Sequence, residues 1–347
     1  MTHKELISII IVNWNGQKWL DSCLASLHEQ TYKHYEVIFV DNASTDDSVV
    51  YVKKKYPWVK VVQSATNLGF AGGNNLGFKH SKGEFILLLN NDTRVEETYL
   101  EEFIQAFDEI PHLGAAQSKI VLMDHPQKLD ACGAYWTDST FLYHFGYYKN
   151  ESLPAYNKAQ PLFSDKGASM MIKRSVIEKV GLFDDDFWCY YEETDFCHRV
   201  WLAGFECWYY PKAKVYHAMG GTSLLFGNEY LQFHNFKNKF MSFLKNFSWT
   251  SLITILPKYL VINGALSLVW LLTGKMSNFL AYYHALWWNM LHLADTLRKR
   301  RTVQKLRTVS DSAIFRVTKR NPTLRYYYYL FRGNIEALGE YEDAHSI

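Results

Sequence analysis

Phe85-Ile86-Leu87-Leu88-Leu89-Asn90-Asn91-Asp92-Thr93 is the stretch whose reading decides the fold. Five large apolar residues in a row are too few for a membrane span and fit a strand buried on both faces. The run stops at two amides and a carboxylate. Polar groups at the C-terminal end of such a strand sit at the mouth of an open α/β sheet, where ligands bind. Asp92 is there a hard oxygen donor suited to a cation, and a cation in that place implies an anion such as a diphosphate. A turn leading to a helix cap at Asp92 or Thr93 is the plainer reading of the same residues.

Upstream, Leu6 to Val12 reads as a first buried strand that ends at Asn13-Trp14-Asn15-Gly16. Trp19, Leu20, Cys23, Leu24 and Leu27 have helical spacing. Glu36 to Val40 is a second strand, ending at Asp41-Asn42-Ala43-Ser44-Thr45-Asp46, and Val59 to Gln63 a third. Asn67-Leu68-Gly69-Phe70-Ala71-Gly72-Gly73-Asn74-Asn75-Leu76-Gly77 follows, with a helix expected to open near Ala71. Alternating short strands and helices predict a mostly parallel sheet with right-handed crossovers. Three strand ends then carry Asn or Asp (Asn13 with Asn15, Asp41, Asn91 with Asp92), and their convergence on one sheet edge points to a nucleotide site. The glycine segment has neither a Walker lysine nor GxGxxG spacing. Its glycines still allow close backbone approach, and a helix start there favours phosphate.

Downstream, Ala115 to Leu122 reads as a strand, and the aromatic run from Tyr135 to Tyr148 as core or strand pairs rather than a sugar cradle. Gly167 to Arg174 is a turn into a strand, with Ser175 expected to cap a helix from Val176 to Val180. A second informative stretch is Trp188-Cys189-Tyr190-Tyr191-Glu192-Glu193-Thr194-Asp195-Phe196-Cys197-His198-Arg199, which opens a helix running to about Ala203. Its acids suit the positive end of the helix dipole. Beside an aromatic wall they should also have raised pKa values, as a general base near neutrality needs. Glu206 to Tyr210 and Val215 to His217 read as two short strands, and His217 alone reads as a structural histidine.

The whole chain has 347 residues, 48% of them apolar, and a net charge of +2, which argues against a nucleic-acid binder. Five cysteines without a CxxC pair suit a reducing compartment. The N-terminus lacks the long apolar region of a signal peptide, so the first domain is expected to stay in the cytoplasm. Leu252 to Thr273 is about long enough to span a membrane, but Pro257-Lys258 and Asn263-Gly264 interrupt it; Lys258 and Asn263 argue for a re-entrant or interfacial helix, with a buried helical hairpin as the soluble alternative. Phe279 to Leu297 adds a second aromatic stretch, followed by Arg298-Lys299-Arg300-Arg301, a combination suited to an anionic membrane surface.

In order along the chain, Asn13-Trp14-Asn15, Asp41-Asn42-Ala43-Ser44, Asn67 to Asn74, Asn91-Asp92, and Glu192 to Asp195 with Arg199 resemble the family 2 glycosyltransferases, and most nearly their rhamnosyltransferase-like branch. The resemblance covers about residues 6 to 245. It implies an α/β GT-A fold with a mostly parallel central sheet: a nucleotide-sugar-binding half (1–115), an acceptor and catalytic half (116–245), and a helical, membrane-associated C-terminal extension (246–347). By the same resemblance Asp41 would pair with the base. Asn13, Asn15, Asn67 and Asn75, with Gly72 in the glycine segment, would line the nucleotide, and Asn91 would stand near the ribose. Asp92 would bind Mg²⁺ or Mn²⁺, with His217 as a second metal ligand. Glu193 would be the catalytic base and Asp195 its companion in the catalytic set, an acid that more often orders the helix and Arg199, while Gly167, Trp188 and Glu192 would face the acceptor. Two departures stand out: the family's Asp-x-Asp is here Asn90-Asn91-Asp92, and its Glu-Asp or Asp-Asp pair is Glu192-Glu193.

The activity so implied is metal-dependent, inverting transfer of a sugar, with rhamnose a candidate. The donor would be a nucleotide-diphospho-sugar and the acceptor a glycan or polyprenyl-linked saccharide, in cell-surface polysaccharide synthesis at the inner face of the cell membrane. The attachment expected there is peripheral or monotopic. A catalytically silent sugar- or nucleotide-binding protein that kept the shell is the alternative, and the missing acids of Asn90-Asn91 are its best support.

Overall fold

The computed structural model describes residues 5–218 and 227–340, so the first four residues and the end of the acidic tail lie outside it. Strands β1 (Ile7–Asn13), β2 (Tyr35–Asp41), β3 (Lys60–Gln63) and β4 (Phe85–Leu89) pair in parallel in the order β4-β1-β2-β3. Helices α1 (Gln17–His28), α2 (Ser48–Lys55) and α3 (Gly69–Lys79) make the crossovers. Every residue of β4 is buried, and its side chains alternate between two cores. Ile86 and Leu88 join Ile10, Ile38 and Val40 on one face; Phe85, Leu87 and Leu89 join Ile9, Ile11 and Phe39 on the other. Each such side chain contributes about 1.5–3 kcal/mol by leaving water. In register, Asn13 stands opposite Asp41 and Asp41 opposite Gln63, so the polar strand ends converge on one edge.

The second half continues the same sheet. Short β5 (Thr93–Val95) and α4 (Tyr99–Glu109) lead to the long buried β6 (Leu113–Leu122). Beyond it lie β7 (Leu129–Ala131), the separate hairpin of β8 (Ala134–Tyr135) and β9 (Tyr143–His144), and β10 (Gln160–Pro161) at the sheet edge. Antiparallel β11 (Ser169–Lys173) joins β4 to β6, and β12 (Glu206–His217) runs parallel to β6. Helices α5 (Arg174–Val180) and α6 (Glu192–Leu202) cover the face opposite α1 and α4. Tyr135, Tyr143 and Phe145 are buried together, so the aromatic middle is core.

Four local expectations change. Thr93 begins β5 and the next helix starts at Tyr99, so no cap forms at Asp92 or Thr93. Ser175 lies inside α5, because β11 runs into that helix at Lys173 and leaves no room for a cap. Residues 206–217 form one strand, not two; its register with β6 slips between Tyr210 and Lys214, around Pro211, which has no N–H to give the ladder. The helix that begins α3 opens at Gly69 rather than Ala71.

The C-terminal chain is helical: α7 (Asn228–Asn246), α8 (Trp249–Leu272), α9 (Met276–Leu291), α10 (Leu293–Lys305), α11 (Asp311–Thr318), α12 (Leu324–Arg332) and α13 (Ile335–Glu340). Helix α8 continues through Pro257 because the carbonyl left unpaired there belongs to Ile253, on a side open to solvent. Phe243, Phe247, Tyr259 and Ile314 join the core cluster of the sheet, which fixes these helices to it. The basic run is divided. Arg300 is buried and donates to the carbonyls of Leu244 and Phe247, and Lys299 pairs with Asp184 and Asp186, whereas Arg298 and Arg301 stay exposed.

Candidate active site

Segments from both halves of the sheet enclose a cleft of about 380 Å³. Trp14 follows β1, Asn42 follows β2, Asn90, Asn91 and Asp92 follow β4, and Asn67, Gly69 and Phe70 open α3. The second half contributes Lys166, Gly167, Trp188, Glu192, Glu193 and His217.

Glu192 and Glu193 form the first turn of α6, and each has a carboxylate oxygen with no hydrogen-bond partner among the described residues. Burial is the main cause that raises Glu193 to about 7, held from going higher by backbone N–H groups and the charge of Lys166. Burial, then the neighbouring Glu193, lifts Glu192 well above the usual carboxylate range. Of the pair, Glu192 is thus the harder to ionise, and Glu193 is the carboxylate placed to take a proton near neutrality. Asp165 is fully buried nearby, both its oxygens have no hydrogen-bond partner among the described residues, and burial keeps its pKa well above the ordinary value too.

The turn that delivers these acids is strained. Trp188, Tyr190 and Tyr191 have φ of 54°, 64° and 69°, a region expensive for residues with a side chain. Two contacts hold it. The Asn238 amide, from α7, donates to the carbonyls of Phe187 (2.8 Å), Cys189 (2.7 Å) and Tyr190 (2.6 Å). On the other side the N–H of Ala71 donates to the Trp188 carbonyl at 3.1 Å, an approach open only because Gly69, at φ +70°, has no Cβ to collide with that oxygen. Asn238→Ala should lose about 1–3 kcal/mol of stability in a denaturant titration. Because the loop carries Glu193, kcat should fall more than KM changes. Unaltered stability and kcat would show that the loop holds itself.

Asp92 and His217 meet across the cleft. Oδ1 of Asp92 lies 3.2 Å from Nε2 of His217, which also stands 3.3 Å from the side-chain amide of Asn90; among the described residues no hydrogen-bond donor is aligned on that Asp92 oxygen. Nδ1 of His217 is 2.7 Å from Oδ2 of Asp130, whose other oxygen accepts from Lys166 at 2.5 Å. Burial pulls the imidazole pKa down, but the bond to Asp130 and the close negative charge of Asp92 outweigh it and raise the group to about 9. Asp130, conversely, stays ionised against its burial because Lys166 and His217 stand beside it. A carboxylate oxygen without a donor and an imidazole oriented by a second carboxylate fit a divalent cation by donor type and by outer support.

Asn67, Asn91, Asp92, Gly167, Trp188, Glu192, Glu193 and His217 thus line one cleft. The other expected site residues do not, and the strand pleat explains part of this. Successive side chains point to opposite faces, so Val12, Trp14 and Asn42 line the cleft while Asn13 and Asp41 turn beneath it. Asn13 bonds Asn91 at 2.6 Å, and Asp41 accepts from the N–H of Ser44 at 3.4 Å. Asn15 accepts from the N–H of Thr45 and shapes that loop. Gly72 lies within α3, and Asn75 ties α3 to the backbone of Phe183. Asp195 lies outside the cleft: buried, it binds Arg199 (3.0 Å), Lys245 (3.2 Å) and Asn246 (2.9 Å), orders α6 and anchors it to α7. Of the further residues at or behind the site, Asn42 and Asn90 stand inside the motifs Asp41-Asn42-Ala43-Ser44 and Asn90-Asn91-Asp92 and Lys166 adjoins Gly167, whereas nothing in the sequence marks Asp130 or Asn238.

Residues 8–181 match the family described as Glycosyl transferase family 2. The low-salt glycan biosynthesis hexosyltransferase Agl10 of Haloferax volcanii is 24% identical over 272 residues, 74% of this chain and 84% of that protein. An N-acetylglucosaminyl-diphospho-decaprenol L-rhamnosyltransferase of Mycobacterium tuberculosis is 24% identical over 238 residues, 61% of this chain and 76% of its own length. The crystal structure of GalNAc-T7 with UDP, GalNAc and Mn²⁺ superposes with a TM-score of 0.56 at 16% identity, over 70% of this chain and 48% of that one. That likeness shows the GT-A fold.

Proposed function

The chain belongs to glycosyl transferase family 2, and from that premise we infer that it is an inverting, metal-dependent enzyme. It moves a sugar from a nucleotide-diphosphate donor to a hydroxyl of a glycan or lipid-linked acceptor in cell-surface polysaccharide synthesis. Rhamnose is the first candidate sugar, since one relative is named as a rhamnosyltransferase. The observation that carries this reading is that Glu193, with an unpartnered carboxylate oxygen, lines the same cleft as Asp92 and His217.

In this mechanism the acceptor hydroxyl gives its proton to Glu193 as its oxygen attacks the anomeric carbon. The bond from sugar to phosphate breaks with its electron pair going to the diphosphate, and a single displacement inverts the anomeric centre. Asp92 and His217 would hold Mg²⁺ or Mn²⁺, which when bound supplies positive charge against the leaving diphosphate. Asp130 fixes the imidazole that does so, and Lys166 adds a positive charge of the chain's own. Asn42, Asn67 and Asn91 would line the nucleotide side of the cleft, and Gly167, Trp188 and Glu192 the acceptor side.

Residues 1–245 carry this chemistry, and 246–347 supply the attachment. Among the described residues α8 is the helix long and apolar enough to cross a membrane, with a mean hydropathy of 1.7. Its Asn263 and Ser267 are buried against the protein, while Ile253, Val261 and Leu272 are 73%, 71% and 86% exposed, as is much of Trp287 and Met290 on α9. A one-sided apolar hairpin suits peripheral or monotopic seating on the inner face of the cell membrane. Asn228, at the start of α7, bonds Ser277 and Asn278 of α9, and Tyr230 packs on Trp188, so the apolar tip adjoins the cleft. An acceptor with a lipid tail would be presented there.

Thermal-shift measurements with dTDP, UDP and GDP, each with and without Mn²⁺, test the donor side. At least one nucleoside diphosphate should stabilise the protein, and do so with Mn²⁺ only. No shift from any of them would contradict the proposal.

A further inference from the structure

A second cavity, of about 350 Å³, lies at the root of the α8–α9 hairpin and outside the cleft. Its floor is apolar: Trp136 and Phe315 stack at 5.5 Å beside Ile255. Its walls are hydroxyls and cations. Thr250 and Thr254 come from the first turns of α8 and Ser312 from the first turn of α11, so two helix N-termini, positive by their dipoles, meet there. Lys319 is engaged with Asp138 at 3.1 Å, and Asp138 with Asn321 at 2.6 Å. The ammonium of Lys258 makes no hydrogen bond or ion pair among the described residues beyond a longer-range attraction to Asp138, so the cavity keeps one uncompensated positive charge. Thr140 lines this cavity and is 1% exposed, and its hydroxyl has no hydrogen-bond partner among the described residues. A buried hydroxyl left unsatisfied is expensive unless something outside the chain completes it.

We propose that this cavity binds the phosphate of an anionic phospholipid headgroup, with Lys258 and Thr140 as its contacts, and so fixes the rotation of the enzyme on the bilayer. The proposal rests on the membrane seating argued above. What favours a lipid over a soluble anion is the neighbourhood: Thr254 and Lys258 are exposed on α8 beside Ile253 and Val261, along which acyl chains would lie. A headgroup there would leave its tails on the apolar stripe.

Co-sedimentation of the full chain with phosphatidylcholine vesicles, with and without phosphatidylglycerol, tests this. Wild type should bind both and prefer the anionic ones, and Lys258→Gln should lose that preference by roughly fivefold. Arg301→Gln, an exposed charge outside the cavity, should lose much less. Thr140→Val should weaken the preference without changing net charge, and nucleotide-sugar turnover in solution should be unaltered in all three. Equal losses in Lys258→Gln and Arg301→Gln would overturn the site in favour of diffuse attraction. Displacement of wild type from anionic vesicles by inorganic phosphate, down to the Lys258→Gln level, would assign the cavity to a free anion and overturn the lipid. Wild type that binds neither vesicle would overturn the membrane seating itself, whereas binding to both without any part for Lys258 would overturn the cavity alone.

Discussion

Glu193→Gln is expected to lower kcat by at least roughly two orders of magnitude, because the amide cannot accept the acceptor hydroxyl's proton. Donor binding should persist, since the substitution leaves Asp92, His217 and the asparagines in place. In wild type, activity should fall as pH drops below about 7, where burial has placed the Glu193 carboxyl. The sign is that of a base, which works only when unprotonated. Stability should move the other way. The folded value lies above the ordinary 4.5, so wild type has no penalty below about that pH and a full one above about 7. The variant lacks the penalty and should be more stable at about pH 8, by about 1–2 kcal/mol, a figure kept below the full linkage value because Glu193 meets the open cleft. Glu192→Gln is the control: burial and the neighbouring Glu193 hold the Glu192 carboxyl well above its ordinary range, so its amide should keep turnover within about tenfold. Wild-type turnover in Glu193→Gln, or a larger loss at Glu192, would transfer the base role or end it.

Asp92→Asn should abolish activity or its dependence on Mn²⁺, since the anionic ligand of the proposed cation is gone. Asp130→Asn reports on the same centre from one residue further out. It should weaken the Mn²⁺ requirement curve by about 10–100-fold, the usual effect of losing the carboxylate behind a metal-bound histidine, while kcat at saturating Mn²⁺ changes less. The two titrations separate a ligand from its support. A Mn²⁺ titration identical to wild type in Asp92→Asn would remove the metal from this site.

The fold was legible because β4 states it locally. Five apolar residues, all buried and split between two cores, admit little except a central strand, and the amides after them mark the ligand edge. Glu193 was legible for the same reason: acids after an aromatic run advertise a desolvated carboxylate. What escaped was information held only in three dimensions. Adjacent Asp41 and Asn42 differ solely by the phase of the pleat, which put the second in the cleft and the first below it. Asp130 is a single acid in an apolar run, and its partner His217 stands 87 positions away. Asn238 serves carbonyls 48 to 51 positions before it, and nothing in its own helix signals them. Lys299 looked like part of a membrane-facing basic run, but Asp184 and Asp186, far back in the chain, turn it inward.

The most direct test of the cleft is crystallographic. Crystals of the full chain soaked with Mn²⁺ and the nucleoside diphosphate that stabilises it should be measured at a wavelength where manganese scatters anomalously. The account predicts one strong anomalous peak bonded to the Asp92 carboxylate and Nε2 of His217, with the diphosphate beside it and Glu193 facing the same space. Manganese bound elsewhere, or a diphosphate seated away from Asp92 and Glu193, would contradict it.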